Sequence, residues 1–352
     1  MKNITLRFFW LFLSICLNAN AQTTGLDSLE TLLKKPIGDS LRIELMNQIG
    51  FQYIFQNTKK AAFYFEEAVQ LSQKIKFIKG EANAYNMKGL LYRVDGLYEQ
   101  ALKLHFHSLE LCEKIGHKDG QAYNFSNIGM VYAEQNDYKK AIIYYRRALS
   151  IKKQLRDSIS LSFTLNDIAV AYLQLNHYDS ALFYNLQSLK IGQILNNKGG
   201  IAYNLLNIGT ILYLKKEYAQ AEKYLLQSEQ LCQENVNTYV EVQAINSLAN
   251  LYFKTKNTEK ALYYASKGLE IAKKHQMKKD IKEAALSLSK IYAQQNKYAQ
   301  AYHYQNMFIA YKDSLNNLDL DKKTALMAAQ YEHERKENQL KAKHAQTTLK
   351  QN

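Results

Sequence analysis

An alanine recurs every 40 residues along most of this chain: Ala61, Ala101, Ala141, Ala181, Ala221, Ala261 and Ala301. A second series of small residues runs ahead of it, Gly50, Gly89, Gly129, Ala169, Gly209, Ala249 and Ser289, spaced by 39 and then by 40 five times. A period kept over seven copies dictates a stack of like units, because one unit is too small to bury its own apolar face and must cover its neighbour's. Residues 122–153, AYNFSNIGMVYAEQNDYKKAIIYYRRALSIKK, show the unit most clearly. Two stretches with helical apolar spacing flank a polar break at Glu134–Asp137, which makes the unit a helix–turn–helix. Gly129, Ala141 and Ala148 mark the closest approach of the two helices. Tyr132, Tyr138 and Tyr145 fill the space around those contacts, and Asp137 is placed to cap the second helix.

The same offsets hold through the array. Tyrosine precedes the second-helix alanine by three at Tyr98, Tyr138, Tyr178, Tyr218 and Tyr298. It follows the first-helix small residue by three at Tyr53, Tyr92, Tyr132, Tyr172, Tyr252 and Tyr292. Alanine or serine comes seven after the alanine at Ala68, Ser108, Ala148, Ser188 and Ser228. The single proline is Pro36, so nothing after it bars helix from continuing, and no stretch shows strand alternation. The fold class is all-α.

These residues resemble the tetratricopeptide repeat family over about residues 39–315. Two departures stand out. The family's usual period is 34, so here the helices or the turns must be longer. Its usual repeat-closing proline is replaced by polar turns such as His117–Gly120 and Asn196–Gly200. The 40-residue variety is similar to Leu-Gly-Asn-repeat arrays, which are peptide-binding scaffolds. The resemblance implies a right-handed superhelical solenoid of about seven repeats whose first helices face a concave groove.

The ends differ from the array. Residues 1–21 have the form of a secretory signal: Lys2 and Arg7, an apolar run from Phe8 to Leu17, and Ala19-Asn20-Ala21 as a small-x-small site. This predicts secretion across the inner membrane to the periplasm. Residues 22–38, whose apolar helix is ended by Pro36 and Gly38, are expected to cap the first repeat. The array is assigned to 39–317. Residues 318–352 read as a charged helix with i,i+4 pairs Glu332–Lys336 and Glu337–Lys341. That tail resembles the helix that links periplasmic arrays to membrane spans in many Bacteroidota sensor proteins. An uncleaved signal or this tail would bring the chain near a membrane. Whether the chain is whole or a piece of a longer sensor, and its oligomeric state, stay open in the sequence.

Lys and Arg number 46 against 32 Asp and Glu, a formal net charge of +14. The lysines occur in short scattered runs near turns and helix ends, which fits a solvated basic surface. With the export signal, they argue against a nucleic-acid partner. Cys112 and Cys232 occupy equivalent positions three repeats apart, beyond disulfide reach, and are expected to be free buried thiols. No phosphate loop, nucleophile elbow or HExxH motif occurs. His105 and His107 are two apart on a helix and do not share a face. The expectation is a non-enzyme with no cofactor and no metal.

What remains is the first-helix stripe, at offsets −6, −3, −2, +1 and +4 or +5 from the small residue. Asn47, Asn86, Asn127, Asn166, Asn207 and Asn246 put an asparagine on it in nearly every repeat, with Asn250 beside the last. Tyr123, Met130, Phe163 and Tyr203 are the apolar candidates. An amide side chain donates and accepts, so a ladder of them can pair with the backbone of an extended peptide whatever its side chains. The resemblance implies such asparagine-mediated holding at the matching positions. The competing reading is that some of them only bond neighbouring helices. The functional expectation is a non-catalytic protein–protein interaction scaffold of the cell envelope. The alternative is the ligand-sensing input region of a membrane-linked signalling protein, of histidine kinase or transcription-regulator type.

Overall fold

The computed structural model describes residues 19–232 and 237–316, and these are helices joined by short turns. Most of the expected signal and the C-terminal tail lie outside the described residues. In chain order the helices are α1 (Ala19–Leu33), α2 (Asp39–Tyr53), α3 (Thr58–Lys74), α4 (Ile78–Val94), α5 (Tyr98–Lys114), α6 (Lys118–Glu134), α7 (Tyr138–Leu155) and α8 (Ser158–Gln174). They continue as α9 (Tyr178–Ile194), α10 (Lys198–Leu214), α11 (Tyr218–Cys232), α12 (Thr238–Lys254), α13 (Thr258–Lys274), α14 (Lys278–Gln294) and α15 over residues 298–316. Among the described residues there is no strand. No described helix is long and apolar enough to cross a membrane.

The turns explain the period. Most helices have 17 residues, and three residues separate most of them from the next. A left-handed residue recurs at 20-residue intervals at Lys76, Gly96, Gly116, Asn136, Arg156, Asn176, Asn196 and Lys216, and again at Lys256, Gln276 and Asn296. At Gly96 (φ +75°) the amide of Leu97 bonds to the Tyr92 carbonyl at 2.8 Å and that of Gly96 to the Arg93 carbonyl at 3.0 Å. This is the Schellman ending, which satisfies carbonyls the helix leaves open. With both turns this short, the length beyond a 34-residue repeat lies in the helices.

Side chains start the helices. Asp137 Oδ1 accepts from the Lys140 amide at 3.1 Å, Asp157 Oδ1 from Ser160 and Asn257 Oδ1 from Lys260. His117 and Asn197 cap in the same way, through Gly120 and Gly200. So Lys118–Gly120 and Lys198–Gly200, expected as turn, are the first helical turn. Gly120 is needed there: a Cβ would come within 2.4 Å of Cys112 Sγ. Tyr138 does not fill the helix–helix contact. Its hydroxyl bonds to Asn136 Oδ1 at 3.0 Å and braces the turn, as Tyr178 does on Asn176 and Tyr298 on Asn296.

The chain divides into two compact units, residues 1–151 and 152–352, with the division falling in α7. In the first unit, α1 lays Leu26, Leu29 and Leu33 on the core around Ile49, Ile54 and Phe65, and Glu30 accepts from the Tyr53 hydroxyl at 2.7 Å. α1 begins at Ala19, inside the stretch read as the signal site. In the second unit, one core runs from Leu189 to Ile291.

In the four repeats that carry glycine at the small position, size is matched across the helix pair. Gly50 faces Phe65, Gly89 faces His105, Gly129 faces Tyr145 and Gly209 faces Leu225, each so closely that a Cβ would come within 2.5–2.8 Å. Tyrosines stack beside this contact at ring distances of 5.4 Å (Tyr132–Tyr144), 5.6 Å (Tyr172–Tyr184), 5.4 Å (Tyr252–Tyr264) and 5.6 Å (Tyr292–Tyr304). The serine seven after the alanine ties the pair: Ser108 Oγ bonds to the Ala82 carbonyl, Ser188 to Ser162 and Ser228 to Ala202. Cys112 and Cys232 are buried free thiols, and burial pushes both up in pKa, Cys232 to about 11.

Candidate functional site

First helices touch one another across the repeats, α2 on α4 and α4 on α6 in the first unit, α10 on α12 and α12 on α14 in the second. That contact makes each set one continuous row, and the asparagines other than Asn166, which stands on α8, lie along it. Their offset from the small residue decides what they do. Asn47, Asn86, Asn166 and Asn246 stand three before it; Asn127 and Asn207 stand two before it. One residue turns a helix by about 100°. In the first group Asn86 and Asn246 lean toward their own second helices, and Asn127 and Asn207 reach toward the preceding repeat.

In the first unit, Asn127 on α6 donates its Nδ2–H to Asn86 Oδ1 on α4 at 2.9 Å. The same oxygen lies 2.9 Å from Nδ1 of His105, on α5. Asn86 and His105 are buried, while Asn127 is half-buried. Burial first, and then the charge of Arg93, hold the His105 imidazole down to a pKa of about 3, with the Asn124 side chain opposing. Arg93 in turn pairs with Glu134 of α6. Burial raises the pKa of the Glu134 carboxyl, and Arg93 pulls against that rise. Tyr123 and Met130 are half-buried on α6. Asn47 is buried with neither polar atom of its amide partnered among the described residues.

In the second unit, Asn207 on α10 donates to Asn166 Oδ1 on α8 at 3.0 Å, the same bond one pair further on. Phe163 is 43% exposed on α8. Tyr203 packs against the core of its unit. Asn246 is buried, its Oδ1 so close to Gly268 of α13 that a Cβ there would stand 2.5 Å away. Exposed Asn250 accepts from Ser287 Oγ on α14 at 3.0 Å. The structure thus joins the asparagines in pairs across repeats and turns Asn246 inward.

His105 is absent from the stripe of sequence candidates, because it lies on a second helix. The signal that marks it is positional: four after the alanine the chain has Phe65, Tyr145 and Leu225, so an imidazole there enters the helix–helix contact. His107 lies on another face, its ring 4.6 Å from that of Tyr85. Among the described residues no three His, Cys, Asp or Glu side chains gather as a metal site.

A family model described as tetratricopeptide repeat matches residues 80–154 and 200–274. The helical array is a tetratricopeptide-repeat array. Solved structures share the arrangement. The apo form of RapI is 17% identical, over 85% of this chain and 97% of that one, with a TM-score of 0.62. A signal transduction ATPase with a tetratricopeptide repeat sensor from Pyrococcus horikoshii is 19% identical over 70% of this chain and 38% of its own, with a TM-score of 0.60. NprR in complex with its cognate peptide NprX is 18% identical over 84% and 86%, with a TM-score of 0.53. At these identities the likeness is one of fold. No curated protein matches the sequence. In tetratricopeptide terms, both asparagine pairs lie on first helices of neighbouring repeats.

Proposed function

We propose that this tetratricopeptide-repeat chain is a non-catalytic protein-interaction scaffold that holds an extended peptide or partner segment along its rows of first helices. The observation that carries the reading is the amide pair repeated in both units, Asn86–Asn127 and Asn166–Asn207. Each bond uses one N–H of the donor asparagine, which leaves that residue a second N–H and a carbonyl oxygen to offer. An extended peptide presents an N–H and a C=O at each residue, which amides can meet without regard to side-chain identity. NprR, of similar fold, binds a peptide. The signal-like residues 1–21 support an envelope site of action, with an envelope protein or peptide as partner.

The test is selection of binders from a random peptide library on the full chain, beside a triple Asn127→Ala, Asn166→Ala, Asn207→Ala variant with unchanged circular dichroism. Loss of about tenfold or more in affinity, the scale of one or two hydrogen bonds, is expected in the variant. Unchanged affinity would move the binding surface off the first helices. Fractionation of cells expressing the full chain tests the location: recovery in the periplasmic fraction supports export, and retention in the cytoplasm refutes it.

A further inference from the structure

We propose that His105 is a positioning residue: it fixes the Asn86 amide so that Asn86 offers only N–H donors, and Asn127 its carbonyl, to one peptide group of a bound segment. This rests on the groove reading above.

The chemistry begins at one oxygen. Asn86 Oδ1 lies 2.9 Å from His105 Nδ1 and receives the Asn127 Nδ2–H at 2.9 Å. An amide oxygen only accepts, so the hydrogen of the imidazole sits on Nδ1. Two bonds fill the oxygen's two lone-pair directions. Asn86 can then act outward only through Nδ2, which makes no bond among the described residues and is not sealed from solvent. The Asn127 oxygen is likewise unbonded and unsealed. A donor and an acceptor on adjacent amides match the C=O and N–H of an extended backbone, and their order sets the direction in which the segment runs.

The imidazole is held for this task. It is fully buried, and it lies against Gly89, where a Cβ would come within 2.8 Å of Cε1 and 2.9 Å of Nδ1. Its other nitrogen, Nε2, is buried with no partner at hydrogen-bond geometry, although the Asn124 side chain lies close enough to act on the ring. Leaving an acceptor so costs stability, which a purely structural filler such as Phe65 or Leu225 would not. The charged group that acts on it is Arg93 of α4, itself paired with Glu134 of α6. Among the described residues the second unit has no such device. Asn185 stands at the matching place on α9 and turns to its own helix, bonding to the Ala181 carbonyl at 3.2 Å. Among the described residues Asn166 Oδ1 is held by Asn207 alone.

The experiment uses the full chain with His105→Phe and His105→Gln. Both replacements occur at this place elsewhere in the chain, as Phe65 and Gln305. NMR of the free proteins reads the His105 tautomer and the order of the Asn86 side-chain amide. Affinity is read with a peptide selected from a random library on the wild type, and with its backbone-ester analogues, in which single N–H groups are replaced by oxygen. The expected result is the Nδ1–H tautomer, loss of Asn86 order in His105→Phe with retention in His105→Gln, and affinity about tenfold weaker in the first only. In the wild type, one ester position should be penalised, and Asn127→Ala should erase that penalty. An Nε2–H tautomer, or His105→Phe equal to wild type in Asn86 order and affinity, overturns the role of His105. If no selected peptide depends on Asn127, the groove reading itself fails, and with it the peptide half of this proposal, whatever the spectra show.

Discussion

Two asparagine pairs occupy matching places on the first-helix rows of the two units, yet only one is locked from behind. Asn86 meets an imidazole from its own second helix, while Asn166 meets none, because Asn185 bonds back to α9. The difference traces to one size exchange. Gly89 leaves room for a ring, whereas the matching positions in the second unit carry Ala169 and the shorter Asn185. A repeat array can thus keep one backbone plan and vary what its amides present, by trading volume between two facing positions. The locked pair combines fixed polarity with a buried, unpartnered nitrogen. The unlocked pair carries neither the fixed orientation nor that cost.

The largest break in the comparison comes from the facing positions themselves. Gly129→Leu drives a side chain into Tyr145, where even a Cβ would lie 2.6 Å from the ring. It is expected to destabilise the first unit by about 3 kcal/mol, the upper range of core overpacking. Ala169→Gly in the second unit is expected to cost only about 1 kcal/mol. Urea denaturation followed by circular dichroism measures both, and equal losses would show that the facing pairs are not size-matched.

Acid should separate the units next. His105 is held at a pKa of about 3, below the ordinary 6.5 of imidazole. Between those values the unfolded chain takes up a proton that the folded chain refuses. The stability tied to neutral His105 is therefore complete above about pH 6.5 and is lost as the pH falls toward 3, by roughly 3 kcal/mol at pH 4. Hydrogen exchange resolved by residue should show α4–α6 weakening first, and His105→Phe should remove that part of the pH dependence. A wild-type profile in the variant would mean that the acid sensitivity lies in carboxylates.

The smallest effect is the most specific. Ala169→Gly with Asn185→His should rebuild the lock in the second unit, adding one hydrogen bond to Asn166 Oδ1 and recovering about 1 kcal/mol relative to Ala169→Gly alone. The readout is the Nδ1–H tautomer of the new histidine and slower exchange of the Asn166 amide. An Nε2–H tautomer would show that Gly and His at those two places are insufficient for the arrangement around Asn86.

Much of this molecule is legible along the chain because its determinants are local and repeated. The cap at Asp137 and the small residues at helix crossings act over a few residues or across one hairpin, and the 40-residue period amplifies each of them. Tyr64, Tyr144, Tyr184, Tyr264 and Tyr304 recur at a constant offset of three from the alanine, but only the structure shows that they stack. The roles of the asparagines were not legible along the chain. Offsets of two and three look alike in sequence but differ by about 100° around the helix, and the partners stand 19 residues away for His105 and 41 for Asn127.

Lys152 makes the same point. It occupies the place held by Ser72, Cys112, Gly192 and Cys232 in other repeats, so its burial could not be told from residue type. Only the packing around Thr164, whose Oγ1 accepts from its Nζ at 2.7 Å, brings that ammonium inside and lowers its pKa to about 8 through desolvation. The sequence by itself determined that helix pairs form and that they stack at a 40-residue period, because periodic apolar burial and turn chemistry are properties of short segments. Tertiary structure alone decided which amide faces which neighbour, because a hydrogen bond depends on direction and distance between helices that the chain brings together only when the repeats pack.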